Sequence, residues 1–328
     1  MGAGRRQPLS PNPPRRTIAG LPGWATSNFR RLRSVLTLAF CPTKYAHLMA
    51  YMLHRALLLL PVLALGIVRA ADTTNEPPAF VDPQLEAAVR QQVFAKRNTT
   101  NALTPSDVAQ VSVVVGNFRG ITNLSGMEHC KAIASLELAG NRITDLSPLR
   151  GLRQLQLLIL SSNKITDASS LRTIPALQYI ELSHNQVKDI SALATLTNLA
   201  SVYVGDNRLT SIAGLTNLPR LVTLYAERNA LKSITGIDRL RGLSSISLSG
   251  NQISDVTPLT GLRAPSFIFL EKNRVRDLAP LNAWLTNDLA TSRNFAPYLQ
   301  LFLKDNPLSS RSKKLVQQWA KDGVRVNP

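Results

Sequence analysis

Apolar and polar positions alternate over Leu136-Glu137-Leu138 with the period of a strand, and the alternation returns every twenty-two residues through the middle of the chain. One such turn carries Leu177, Ile180, Leu182, Val187, Ile190, Leu193 and Leu196 at its apolar places. Asn185 and Asp189 stand at fixed places between them. The asparagine position repeats as Asn141, Asn163, Asn185, Asn207, Asn229, Asn251 and Asn273, and Asn306 follows after thirty-three residues. A turn this short cannot bury its own apolar face, but stacked turns share one continuous core. The pattern therefore predicts a solenoid of class α/β. One short strand per turn builds a parallel sheet on the concave side. Too few residues remain for a long helix, so the convex side is expected to consist of 3₁₀ turns.

Several polar positions have structural readings. The eight asparagines are expected to point inward and hydrogen-bond backbone that no regular ladder serves. Asp145, Asp167, Asp189, Asp255 and Asp277, with Ser211 and Ser233 at the same place, form a second row. A row of carboxylates invites a metal reading. Asp and Ser also cap short helical turns, and Pro148, Pro258 and Pro280 follow three residues later, as at such a start. The capping reading is preferred, and no metal is expected.

The phrase L-x-x-L-x-L-x-x-N-x-I/L/V is that of a leucine-rich repeat. The repeats are placed at 111–308, the first with Arg119 in the asparagine position. Ahead of them, 71–110 reads as a linker and a helical N-terminal cap. Asp82-Pro83 and Thr104-Pro105-Ser106-Asp107 are helix starts, and Leu85, Ala88, Val89 and Val93 have helical spacing. Eleven extra residues near 284–297 interrupt the period, either as a ligand-contacting loop or as slack before the C-terminal cap at 309–328. Leu315, Val316 and Trp319 mark one face of a helix in that cap.

The front of the chain differs. Residues 1–51 contain eight Lys or Arg, no acidic residue and a Pro-rich opening, a disordered composition that need not be translated if Met52 or Met49 is the start. Residues 52–70 read as a signal peptide: His54-Arg55, an apolar run from Ala56 to Val68, then Val68-Arg69-Ala70 before a cleavage point. Otherwise the apolar stretch 45–68 becomes a signal anchor in a membrane. Removing 1–70 lowers the formal net charge from +18 to +8, twenty-eight basic against twenty acidic residues. The remaining basic residues are scattered, without the stripe and stacking residues that nucleic-acid binding needs. Cys130 alone remains past the signal, in a place that Leu152, Leu196 and Leu218 fill elsewhere, and so reads as a small buried hydrophobe.

The outward strand positions follow from the alternation. They include Tyr179, Glu181, Tyr203, Tyr225, Glu227, Phe267, Phe269 and Phe302. Six of these are aromatic in a chain with 5% aromatic residues. Exposed aromatics beside charges are the usual anchors of protein interfaces. On this reading, replacing Tyr203 and Tyr225 with Ala weakens partner binding and leaves thermal stability intact. No nucleophile elbow, phosphate loop or paired-cysteine motif is present, so neither catalysis nor a cofactor is expected.

The phrase LxxLxLxxNxIxDLxPL, met from Ile133 to Leu149 with Ile in the first place, resembles internalin-like bacterial leucine-rich repeat proteins. The lead-in from Phe80 to Arg90 is similar to the cap that precedes such repeats. The resemblance covers 80–328. It implies a horseshoe solenoid and a secreted, periplasmic or surface protein that binds a protein partner through its concave face; a monomer is expected. Two other readings are an intracellular scaffold, similar to phosphatase-regulating repeat proteins, and an enzyme. No segment is left over to hold a catalytic domain, which disfavours the enzyme.

Overall fold

The computed structural model describes residues 76–328. The expected extension at 1–51, the signal or anchor segment within 45–70, and the first part of the linker lie outside the described residues. Among the described residues no helix is long and apolar enough to cross a membrane.

The chain enters through helix α1 (Pro83–Arg90) and the short α2 (Pro105–Val108). Asp82 caps α1, its Oδ1 accepting from the backbone N–H groups of Gln84 (2.9 Å) and Leu85 (3.2 Å). Its Oδ2 accepts from the N–H groups of Thr122 (2.8 Å) and Asn123 (3.2 Å), so one carboxylate ties the cap to the first repeat. Burial works against the charge, but these donors outweigh it and hold the carboxyl below the usual range. Thr104 and Asp107 close a capping box on α2.

Ten three-residue strands then stack in sequence order into one parallel sheet. They are β1 (Val113–Val115), β2 (Ser135–Glu137), β3 (Leu157–Ile159), β4 (Tyr179–Glu181), β5 (Ser201–Tyr203), β6 (Thr223–Tyr225), β7 (Ser245–Ser247), β8 (Phe267–Phe269), β9 (Gln300–Phe302) and β10 (Arg325–Asn327). The register is in phase throughout the repeats, with Leu136, Leu158, Ile180, Val202, Leu224, Ile246 and Ile268 side by side. These residues are fully buried and form the inner row of a core that runs the length of the solenoid. Between strands the chain makes 3₁₀ turns, among them Ser147–Leu149, Ser169–Thr173, Ser191–Thr195 and Thr257–Gly261.

The asparagines bind the turns together. Asn185 Nδ2 donates to the carbonyls of Leu182 (2.9 Å) in its own turn and Leu160 (3.0 Å) in the turn before, while its Oδ1 accepts from Ile165 N–H (3.0 Å). Asn141, Asn163, Asn207, Asn229, Asn251, Asn273 and Asn306 make the corresponding bonds. The residue before each asparagine takes the left-handed conformation. Gly140 does so without strain, whereas Ser162, His184, Asp206, Arg228 and Lys272 adopt it as non-glycine residues.

The second polar row faces backbone as well. Asp145, Asp167, Asp189, Asp255 and Asp277 each accept from the N–H two residues on, at 2.7–2.9 Å. Ser211 and Ser233 do the same with their hydroxyls. Among the described residues no group of three or more His, Cys, Asp or Glu is placed to hold a metal.

After β8 the 3₁₀ turn is replaced by helix α3 (Ala279–Ala290), which takes up the extra residues. It buries Leu281 and Leu285 and packs on the preceding 3₁₀ turn and on helix α4 (Ser310–Lys321), away from the strands' outward face. Trp319 Nε1 donates to Asn282 Oδ1 (2.9 Å), and the Trp284 and Phe295 rings stack at 4.5 Å. Asp288 gathers the N–H groups of Asn294, Phe295 and Ala296, so the segment after α3 is tied down by one carboxylate. β10 carries no repeat phrase: Arg325-Val326-Asn327 becomes a strand because α4 returns the chain to the open edge of β9.

Cys130 is fully buried, and burial pushes its thiol up to about 12. It packs as the leucines of later turns do.

Candidate functional site

The outward positions of β2 to β9 share the sheet face opposite the 3₁₀ turns. The in-phase register sets the lateral order of side chains there, and the rings named from the sequence meet across it. Tyr179 and Tyr203 lie 5.3 Å apart between centroids, and Tyr203 and Tyr225, paired across β5 and β6, lie 5.1 Å apart edge to face. Tyr225 reaches Phe269 at 6.5 Å across β7, where Ser247 is small enough to leave the gap. Phe269 stacks on Phe302 at 4.5 Å and on Phe267 at 6.3 Å. The six rings form one continuous ladder from β4 to β9. Such pairs contribute about 0.5–1.5 kcal/mol each beyond burial.

The ladder differs from the expected surface of exposed aromatics. Tyr179 is 6% exposed, and Tyr203, Tyr225 and Phe269 are 7% exposed; only Phe267 and Phe302 keep intermediate access. In-register stacking turns each ring against its neighbours, and ring contact supplies part of the cover. The tyrosines are therefore structural members of the face, and replacing Tyr203 and Tyr225 is expected to cost stability as well. Tyr225 Oη also lies 3.0 Å from Ser245 Oγ. Burial, with the nearby charge of Glu227, raises its pKa above 10.

Two carboxylates accompany the rings. Glu181 Oε1 accepts from Ser183 N–H at 2.8 Å. Burial pushes Glu181 from an ordinary 4.5 up to about 7; its bonds to Ser183 oppose the shift and the charge of Glu227 adds to it. Glu227 is 7% exposed, and its Oε2 has no hydrogen-bond partner. The hydroxyl of Ser247, fully buried under the ladder, has none either.

Three residues not singled out from the sequence stand beside this pair. Asp206 receives both arms of the Arg228 guanidinium and lies 3.4 Å from His184 Nδ1. Their positions, one residue before the asparagines, were legible; their approach required the left-handed turns that bring adjacent loops together.

Residues 131–173, 153–195 and 175–217 match the family described as Leucine Rich repeats (2 copies). No curated protein sequence matches the chain. Among solved structures, an internalin (inlF) from Listeria monocytogenes is 29% identical, with a TM-score of 0.64 over 75% of this chain and 71% of that one. Internalin C2 (inlC2) of the same organism is 28% identical, with a TM-score of 0.59 over 73% of this chain and 100% of that one. A leucine-rich repeat protein of Leptospira interrogans shares the fold at 18% identity, with a TM-score of 0.54 over 63% of this chain and 57% of that one. The stacked strands, asparagine ladder and repeat match make this chain a leucine-rich repeat protein. Within that class its build is similar to that of the two Listeria internalins.

Proposed function

We propose that the chain is an exported or surface-associated, non-enzymatic module that binds another protein through the outer face of its sheet. The observation that carries this reading is the aromatic ladder with its two carboxylates, set on a backbone that the asparagines hold in register. A rigid floor of rings lowers the ordering cost of binding. The partner then touches the accessible members of the face, Leu157, Ile159, Phe267 and Phe302, while the tyrosines keep their shape beneath it. Export rests on the apolar run Ala56 to Val68 followed by Val68-Arg69-Ala70.

Two measurements test the two halves. N-terminal sequencing and fractionation of the protein made from its native gene should find a mature start at Ala71 outside the cytoplasm. An intact chain in the membrane fraction would mean a signal anchor, and an intact cytoplasmic chain would favour an intracellular scaffold. For the face, Ser201→Arg places a bulky charge among the outward positions, and Arg239→Glu changes an exposed residue of the 3₁₀ turn Ile237–Arg239 on the opposite side. Cross-linked partner capture should fall with the first and persist with the second. The reverse pattern would remove the sheet face from the proposal.

A further inference from the structure

Glu227 leaves the end of β6 and leans over β5, where Gly205 has no side chain. A Cβ at Gly205 would lie 3.0 Å from Glu227 Cδ, so the absent side chain is the space that the carboxylate occupies. Glu181 on β4 pairs with Tyr203, and Gly205 lies two residues beyond Tyr203, so the Glu227 carboxylate sits over the strand next to Glu181; its charge adds to the rise of the Glu181 carboxyl. Tyr203 stands on the intervening strand, and Tyr225 on β6 also feels the Glu227 charge. One oxygen, Glu227 Oε2, is buried with no hydrogen-bond donor. An unpaired buried carboxylate oxygen forfeits its hydration and has nothing in exchange.

The nearby basic side chains do not fill the gap. Arg228 Nη2 is 3.9 Å from Glu227 Oε1, too far for a hydrogen bond, and its guanidinium already grips Asp206. His184 also faces Asp206. Asp206 thus takes the arginine and faces the histidine, and Glu227 Oε2 is left without a donor.

We infer that Glu181 and Glu227, with the rings of Tyr203 and Tyr225 beside them, form a receptor for one basic side chain, arginine or lysine, of the protein partner. The inference rests on the reading of the sheet face as a binding surface. A guanidinium or ammonium supplies the N–H donors that Glu227 Oε2 lacks and neutralises the repulsion between the two carboxylates. Recognition here is local, because the chain beyond residue 70 carries a net positive charge that does not attract a basic partner from a distance.

The test uses the full chain labelled with ¹³C at glutamate Cδ. N-acetyl-arginine methylamide is the probe, with the uncharged citrulline analogue as control. The resonances of Glu181 and Glu227, assigned from the Glu181→Gln and Glu227→Gln variants, should shift saturably with the arginine probe and not with citrulline. Each variant should bind the probe about tenfold or more weakly, as when one partner of a shielded charge pair is removed. Equal response to arginine and citrulline, or unchanged affinity in both variants, overturns the inference. Because Ser201→Arg reads partner capture independently, a chain that ignores arginine yet captures a partner through the face loses this receptor and keeps its binding surface.

Discussion

Asn185 shows how much one residue can carry. Its amide joins four backbone groups in two turns, and its removal leaves a buried N–H and two buried carbonyls short of partners. Asn185→Ala should cost about 2–4 kcal/mol, from roughly 1–3 kcal/mol per unsatisfied group with partial relaxation. Urea unfolding measures it, and a loss below about 1 kcal/mol would mean that the ladder relaxes around the gap. Tyr203 touches a ring on either side, so Tyr203→Ala should destabilise by about 1–3 kcal/mol, seen as a lower Tm. Glu181 adds a pH dependence. Its pKa rises from 4.5 to about 7 on folding, so the folded chain holds this proton more tightly than the unfolded chain. That contribution is complete below about pH 4.5 and is lost as the pH rises through about 7. Stability of the wild type relative to Glu181→Gln should therefore decline across that window, and parallel pH profiles would show that the carboxyl does not titrate there.

At the scale of elements, the helices at the two ends have different legibility. α1 was visible as Asp82-Pro83 ahead of a helical spacing, because capping is local chemistry. The second task of Asp82 was not visible, since Thr122 and Asn123 are forty residues away. Asp82→Ala should cost about 1–2 kcal/mol through the cap and more through the bond to the first repeat. Hydrogen exchange should quicken at Leu85, Thr122 and Asn123 together; acceleration confined to α1 would show that the cap and the repeat open separately. α3 replaces a 3₁₀ turn, and the sequence shows only that the period breaks there. Its helical form and its seat against α4 depend on contacts such as Trp319 with Asn282. β10 is an extreme case, a strand made by the place where α4 delivers it.

At the scale of the whole molecule, each turn touches chiefly its neighbours, so stability is nearly a sum of turns and interfaces. Excising one period, residues 142–163, joins Asn141 to Lys164 in phase and leaves the ladder from Tyr179 onwards untouched. The shortened chain should remain folded, with unchanged far-UV circular dichroism per residue and a modestly lower Tm. Collapse of the fold would show that the turns are not interchangeable. The sheet face is likewise a property of the whole: no single turn holds more than two of its six rings, and only the common register makes them one surface.

The repeat period alone determined the solenoid, the strand in each turn, the inward asparagines and the identity of the outward residues, because all of these follow from the spacing of apolar and polar positions along one chain. Tertiary structure decided what those outward residues became. Stacking at fixed register pressed Tyr179, Tyr203, Tyr225 and Phe269 together and covered them, where composition suggested exposed anchors. It brought Glu227 over Gly205 towards Glu181, and Asp206 between His184 and Arg228. Such meetings lie between turns, about twenty-two or more residues apart in sequence. They depend on ring volume, side-chain direction and the left-handed turns before the asparagines, and a repeat phrase specifies where a side chain starts, not which neighbour it meets.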